Sequence, residues 1–282
     1  MSEENKVRDA ADAVKGVLQA VPIYPDLIQP AAKELGEGLH TVAKAVNIAL
    51  EPFVALVWGY DKIKEYVIGA LAKRLQGVQA ERIISPSPSV AGPTLEALRF
   101  AGHDPTLREL YANLLATAMD TKTANEAHPA FVEIIKQLTS DEARILQIME
   151  AKTVIPVIDV RIVIPSGGMI EHVRTFSLIA EEAGCFHLEL CQAYIGNLSR
   201  LNLIEISGDK RLEDGKCYEP LEQHPMIVEI CEEIKNIQNL NCQFHRHYLS
   251  LTTWGSMFLR ACVNDVARSA TPSEALIQPD HP

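Results

Sequence analysis

The sequence predicts a mainly α protein, an N-terminal helical bundle followed by an α+β unit of winged-helix type. Three observations point there. Apolar residues recur three and four positions apart from Val7 to Ala151, as on the buried face of a helix. The period drops to two at Val157, where a half-buried strand begins. Beyond it, Gly- and Ser-containing turns separate brief helical and extended stretches. At 282 residues the chain is long enough for two packed units, and with 47% hydrophobic and 22% charged residues it reads as globular.

The first helix follows from Val7, Ala10, Ala11, Val14, Val17, Leu18 and Val21, and Pro22 and Pro25 end it. A second stripe carries Leu35, Leu39, Val42, Val46 and Leu50 as far as Pro52, and a third carries Ile63, Tyr66, Val67, Ala70 and Leu71. Ser85-Pro86-Ser87-Pro88 is too rich in proline for helix, so it is expected to run extended and mark a boundary. Asp104-Pro105 supplies a cap and a first-turn proline for the sharpest helix, whose buried stripe includes Leu110, Leu114 and Leu115, with Arg108 on the solvent side. Phe131, Ile134, Ile135 and Leu138 give a short helix. Thr139 and Glu142 then form a capping-box signature for the next.

From Val157 the alternation of Ile158, Val160, Ile162 and Ile164 predicts a strand, turned by residues 165–168 towards Ile170–Val173. Helices over Phe176–Ala183 and His187–Arg200 follow, then a strand at Leu203–Ile206, a helix through Ile227, Ile230, Cys231 and Ile234, a strand at Tyr248–Leu251 and a last helix through Phe258, Leu259 and Cys262. Helix, helix, turn, helix, strand, strand is the winged-helix order, with one departure: about 40 residues containing a helix separate the two final strands. The expected organisation is residues 1–84 as N-terminal helices, 85–138 as a central helical segment packed with them, 139–268 as the winged-helix-like domain with a helical insertion, and 269–282 as a disordered tail.

Composition narrows the function. Twenty-six basic against 37 acidic residues leave a formal charge of −11, which repels nucleic acid and anionic lipid unless a local basic patch intervenes. Met1–Asp12 lacks the apolar core of a signal peptide, so the expected location is cytoplasmic. The six cysteines read as core thiols rather than disulfides.

Chemistry-bearing patterns are weak. Cys185, His187 and Cys191 lie close together, but no second CxxC pair completes a tetrahedral set. Cys242, His245 and His247 have strand spacing, so two of the three would face one way. Neither group is assigned a metal. No GxSxG-like turn offers a nucleophile, Gly167-Gly168 lacks the setting and the lysine of a phosphate cradle, and adjacent acidic pairs such as Glu181-Glu182 point in different directions. The expectation is therefore no enzyme, no cofactor and no small-molecule ligand.

Were the unit to bind nucleic acid, helix His187–Arg200 would present Gln192, Asn197, Ser199 and Arg200, with Lys210 and Arg211 at the wing, yet little positive charge surrounds them. Packing against a protein partner or a second copy is the favoured reading. The Ala-, Gly- and Val-rich N-terminal helices could also lie on a membrane, although their polar faces mix acids and bases.

An ordered series of short motifs carries a family likeness. Val57-Trp58-Gly59-Tyr60-Asp61-Lys62-Ile63-Lys64-Glu65-Tyr66 is followed by Pro86–Pro93, Leu110-Tyr111-Ala112-Asn113-Leu114-Leu115, His128-Pro129-Ala130-Phe131, Gln137-Leu138-Thr139 and Asp141-Glu142-Ala143. From about Ala45 to Thr252-Thr253-Trp254-Gly255 the chain resembles the bacterial abortive-infection alpha family. The resemblance implies a role in bacteriophage defence, exerted through protein partners or self-association, and supplies no catalytic residues. A DNA-binding regulator and a membrane-active effector using residues 1–57 are the alternatives. Among the motif residues, Asn113 and His128 are the polar exceptions, for which hydrogen-bonded structural roles rank above ligand contact.

Overall fold

A computed structural model describes residues 59–264, apart from residues 77, 166, 209 and 239. The two N-terminal helices, most of the expected bundle and the tail lie outside the described residues. Within them the fold is mainly helical, with one four-stranded antiparallel sheet.

Helix α1 (Tyr60–Arg74) is followed by α2 (Pro88–Ala101), α3 (Pro105–Ala118), the short α4 (Ala130–Ile135) and α5 (Ser140–Ala151). The expected cap of α3 forms: Asp104 Oδ1 accepts from Thr106 N at 2.8 Å and Leu107 N at 3.0 Å, and Pro105 occupies the first turn, where a missing N–H costs nothing. The capping box of α5 also forms, Glu142 N donating to Thr139 Oγ1 and Thr139 N to Glu142 Oε2. Leu110, Leu114 and Leu115 are all at most 2% exposed.

Two local expectations need correction. Residues 85–87 run extended, but Pro88 opens helix α2 behind an N-cap at Ser87, whose side chain accepts from Ser89 N. A proline at the first helical position is compatible with helix, and the buried stripe of Val90, Thr94, Ala97 and Leu98 tolerates Pro93 in the interior. Arg108 is not simply solvated. Its guanidinium sits 5.2 Å from the Tyr66 ring centroid and donates to Gly102 O.

The sheet comprises β1 (Val154–Val163), β2 (Met169–Phe176), β3 (Ile204–Ile206) and β4 (Asn241–Leu251), in the order β2-β1-β4-β3. Between β2 and β3 lie α6 (Ile179–Glu182) and α7 (Cys191–Arg200), and between β3 and β4 lie α8 (Glu219–Glu222) and α9 (Pro225–Gln238). The two expected helices before β3 are thus shorter than their apolar patterns suggest: Phe176 pairs with Ile158 in the sheet, and a 3-10 turn at Leu188–Leu190 precedes α7. Strand β4 is much longer than expected and pairs with β1 along its whole length, from Val154↔Ser250 to Val163↔Asn241.

This long pairing fixes the two faces of the sheet, since directly opposed residues in an antiparallel pair share a face. One face carries Ile158 and Val160, buried in a cluster with Tyr218, Leu221 and Ile227, with Cys242 and Phe244 packed against it. The other carries Ile155, Val157, Asp159, His247 and Leu249, all buried.

After β4, α10 (Thr253–Phe258) runs into a π-helical turn, Leu259–Val263. Such a turn displaces carbonyls from the regular ladder, and α3 satisfies them. Thr117 Oγ1 donates to Ala261 O at 3.0 Å, and Asn113 Nδ2 donates to Cys262 O at 2.9 Å and Val263 O at 3.2 Å.

Candidate functional site

On the second face of the sheet, Asp159 is set between two histidines. Antiparallel register places it opposite His245, and the two-residue period of β4 puts His247 on the same side. Asp159 Oδ1 lies 3.2 Å from His247 Nε2, and Oδ2 lies 3.4 Å from His245 Nδ1. One ligand atom from each of the three residues falls within 4.8 Å of the others. The imidazoles are tilted at 50° with centroids 5.2 Å apart.

A break in the sheet completes the surroundings of the carboxylate. The β1/β2 register shifts between Ile158 and Val160, and Thr175 takes a left-handed φ of 53°. That conformation is unfavourable for a β-branched residue. It turns the Thr175 N–H onto Asp159 Oδ1 at 2.8 Å. Burial opposes ionisation of Asp159, but the contacts from His247, Thr175 N–H and His245 outweigh it and bring its pKa down to about 2. The carboxylate is therefore charged at neutral pH. Arg161 approaches Oδ2 at 3.7 Å but also reaches Glu171 at 3.5 Å. His245 borders an open groove whose other lining, Arg211, Glu222, Cys242, Phe244 and Arg246, belongs mainly to the opposite face, and its own side chain is 23% exposed, so the cluster reaches solvent at that residue.

Sequence spacing grouped Cys242 with these histidines, whereas strand alternation turns Cys242 to the opposite face and the third member is Asp159. Asp159 was already visible as a polar position in an alternating strand. What sequence could not supply was the β1/β4 register that brings it across from His245. In the other cysteine-histidine group, the Cys185 thiol donates to Asp141 O and the Cys191 thiol to Ser177 O, while exposed His187 contacts Glu189.

The candidate nucleic-acid residues are not gathered on one open face. Gln192 donates to Arg174 O at 2.7 Å. Asn197 bridges Gln137 O and Glu142 Oε1, and Arg200 donates to Asn197 Oδ1 and Gln137 Oε1, so both tie α7 to the start of α5. Ser199 is half-buried on the same helix, whereas Lys210 and Arg211 are exposed, Arg211 lining the groove beside His245. Asn113 is buried: besides its two carbonyl contacts it accepts from the Arg74 guanidinium. His128, one residue before the N-cap of α4, accepts from Ala130 N, and its ring packs edge-on against Trp254 at 5.0 Å.

A second feature stands apart from the sheet. Phe186 is 76% exposed, with exposed Leu188 and Leu190 next to it. Its position is nevertheless fixed. The buried Asp141 carboxylate accepts from Phe186 N, His187 N and Tyr194 Oη, and the Arg144 guanidinium covers the Phe186 ring at 4.3 Å. Sequence reading placed Phe186 at a turn and did not single it out.

The family model for abortive infection alpha matches residues 60–262, most of the chain. The chain belongs to the abortive infection alpha family. The motif residues that carry the likeness and lie within the match include Asn113 and His128, which the fold uses to join α1, α3, α4 and the C-terminal helix. No curated protein matches the chain. A solved structure of an uncharacterised protein from the hydrocarbon-degrading marine bacterium Alcanivorax borkumensis SK2 is similar over 48% of this chain and 92% of its own, with 17% sequence identity and a TM-score of 0.34. No helix among the described residues is long and apolar enough to cross a membrane.

Proposed function

We propose that the protein serves abortive-infection-type defence against bacteriophage, acting without catalysis of its own through a protein partner or a second copy. Family membership supports the defence half of the reading. The interaction half rests on one observation, the exposed Phe186-Leu188-Leu190 ridge held by Asp141 and Arg144. A large apolar side chain fixed in place loses little entropy when it docks, which is the usual character of an interface anchor.

The unit that carries the ridge is read as winged-helix-like. Support comes from the order α5, β1, α6, α7, β3, β4 and from the pairing of β4 with both β1 and β3, with hairpin β1/β2 and helices α8 and α9 as insertions. Its α7 uses Asn197 and Arg200 in hydrogen bonds to Gln137 and Glu142, which favours a protein-binding use of this scaffold over base readout.

Sedimentation velocity on the purified protein, paired with pull-downs from infected and uninfected cells, tests the interaction half. A self-associating species or a captured partner that Phe186→Asp abolishes supports it. A monomer that captures nothing in either condition contradicts it.

A further inference from the structure

We propose that Asp159, His245 and His247 form a binding site for a divalent transition-metal ion of the zinc class, with three protein ligands and a position left for water. Four observations converge on it. Two imidazoles and one carboxylate are a ligand set suited to such an ion. The distances are within reach as well: each histidine meets a different oxygen of Asp159, at 3.2 and 3.4 Å, and one ligand atom from each of the three residues lies within 4.8 Å of the others, so a small side-chain adjustment gives the roughly 3.3–3.4 Å separations of a tetrahedral site with bonds of about 2.0–2.1 Å.

The third observation is that His247 is buried, its side chain only 6% exposed, and its Nε2 makes no well-directed hydrogen bond although it is aimed at Asp159. A buried nitrogen in that state is costly unless something else engages it. A metal ion would take its lone pair directly. The fourth is the support around the carboxylate. Thr175 N–H holds Asp159 Oδ1 from outside the cluster, as outer-shell donors do for ligating carboxylates, and it does so from a left-handed conformation.

Arg161 is the adverse charge, since a cation near Asp159 competes with a metal. Glu171, at 3.5 Å, gives its guanidinium another carboxylate to pair with. Access is at His245, whose side chain is 23% exposed. The proposal does not depend on the defence reading, and its test involves neither phage nor partner.

The full chain, freed of metal by a chelator, is titrated with Zn²⁺ by calorimetry, and its melting is followed with and without Zn²⁺. The expected result is saturable binding of one equivalent with a raised Tm. Asp159→Asn keeps an acceptor for Thr175 N–H but removes the charge, and should weaken binding at least about tenfold. His245→Gln, at a half-buried position that tolerates exchange, should do the same and stands in if the buried variant fails to fold. Cys242→Ser, on the opposite face, should bind as the parent does. Absence of one-equivalent binding, or binding unchanged in folded His245→Gln, or binding lost only in Cys242→Ser, would overturn the proposal.

Discussion

The Tyr194 hydroxyl on α7 donates to the Asp141 carboxylate on α5 at 2.9 Å, inside the contact between the two helices. The same carboxylate accepts from the backbone N–H groups of Phe186 and His187 and pairs with Arg144 at 2.6 Å. One buried anion thereby positions helix α7 and the apolar turn that precedes it.

Tyr194→Phe removes a single hydrogen bond to a charged acceptor and should cost about 1.5–3 kcal/mol. Asp141→Ala leaves two amides, a phenol and a guanidinium without their anion and should cost roughly 3–5 kcal/mol. Urea denaturation of the two variants checks the order; equal losses would show that Asp141 serves Tyr194 alone.

In the core, Leu114→Ala should cost roughly 2–5 kcal/mol, because the site is fully enclosed and a cavity remains. Arg108→Ala would be almost silent were that side chain simply solvated. Its stacking on Tyr66 and its bond to Gly102 O raise the expected loss to about 1 kcal/mol. Melting curves of both variants separate the two effects.

Gly255 on α10 is a third sensitive point. A Cβ built there would stand 1.8 Å from Leu203 O, and that atom is backbone, which cannot swing aside. Gly255→Ala should therefore displace α10 from the end of β3 and cost about 3 kcal/mol or more, measured by denaturant unfolding.

Much of this was legible in the sequence, for identifiable reasons. Asp104, Thr139 and Glu142 act through backbone groups two or three residues away, so their caps could be read locally. Strand β4 escaped because Gln243, His245 and His247 alternate with Cys242, Phe244 and Arg246, and its two faces serve two different environments rather than water and core. The Asp159 cluster escaped for a related reason: Asp159 lies more than 80 positions before the two histidines, and only the β1/β4 register unites them. Helix α2 was hidden by prolines whose effect depends on their exact place in the first turn.

Acid sensitivity follows from the depressed carboxylates. Asp141 and Asp159 both ionise below the ordinary value of 3.8, Asp159 at about 2. A group whose folded pKa is lowered stabilises the fold fully above its unfolded pKa, and that contribution disappears as pH falls through the folded value. Stability should hold down to about pH 4 and then decline steeply towards pH 2. Asp159→Asn should flatten that decline, as read from urea midpoints across the range. An unchanged slope would mean that the histidines do not hold the Asp159 charge.

The most direct measurement is phage plating on a bacterial host that expresses either the parent protein or a Phe186→Asp/Leu188→Asp variant with parental melting behaviour. The account predicts that the parent lowers plating efficiency for at least one phage of a broad panel and that the double variant loses this protection. Unchanged plating with the parent across the panel would contradict the defence role, and full protection by the folded double variant would contradict its exertion through the Phe186 ridge.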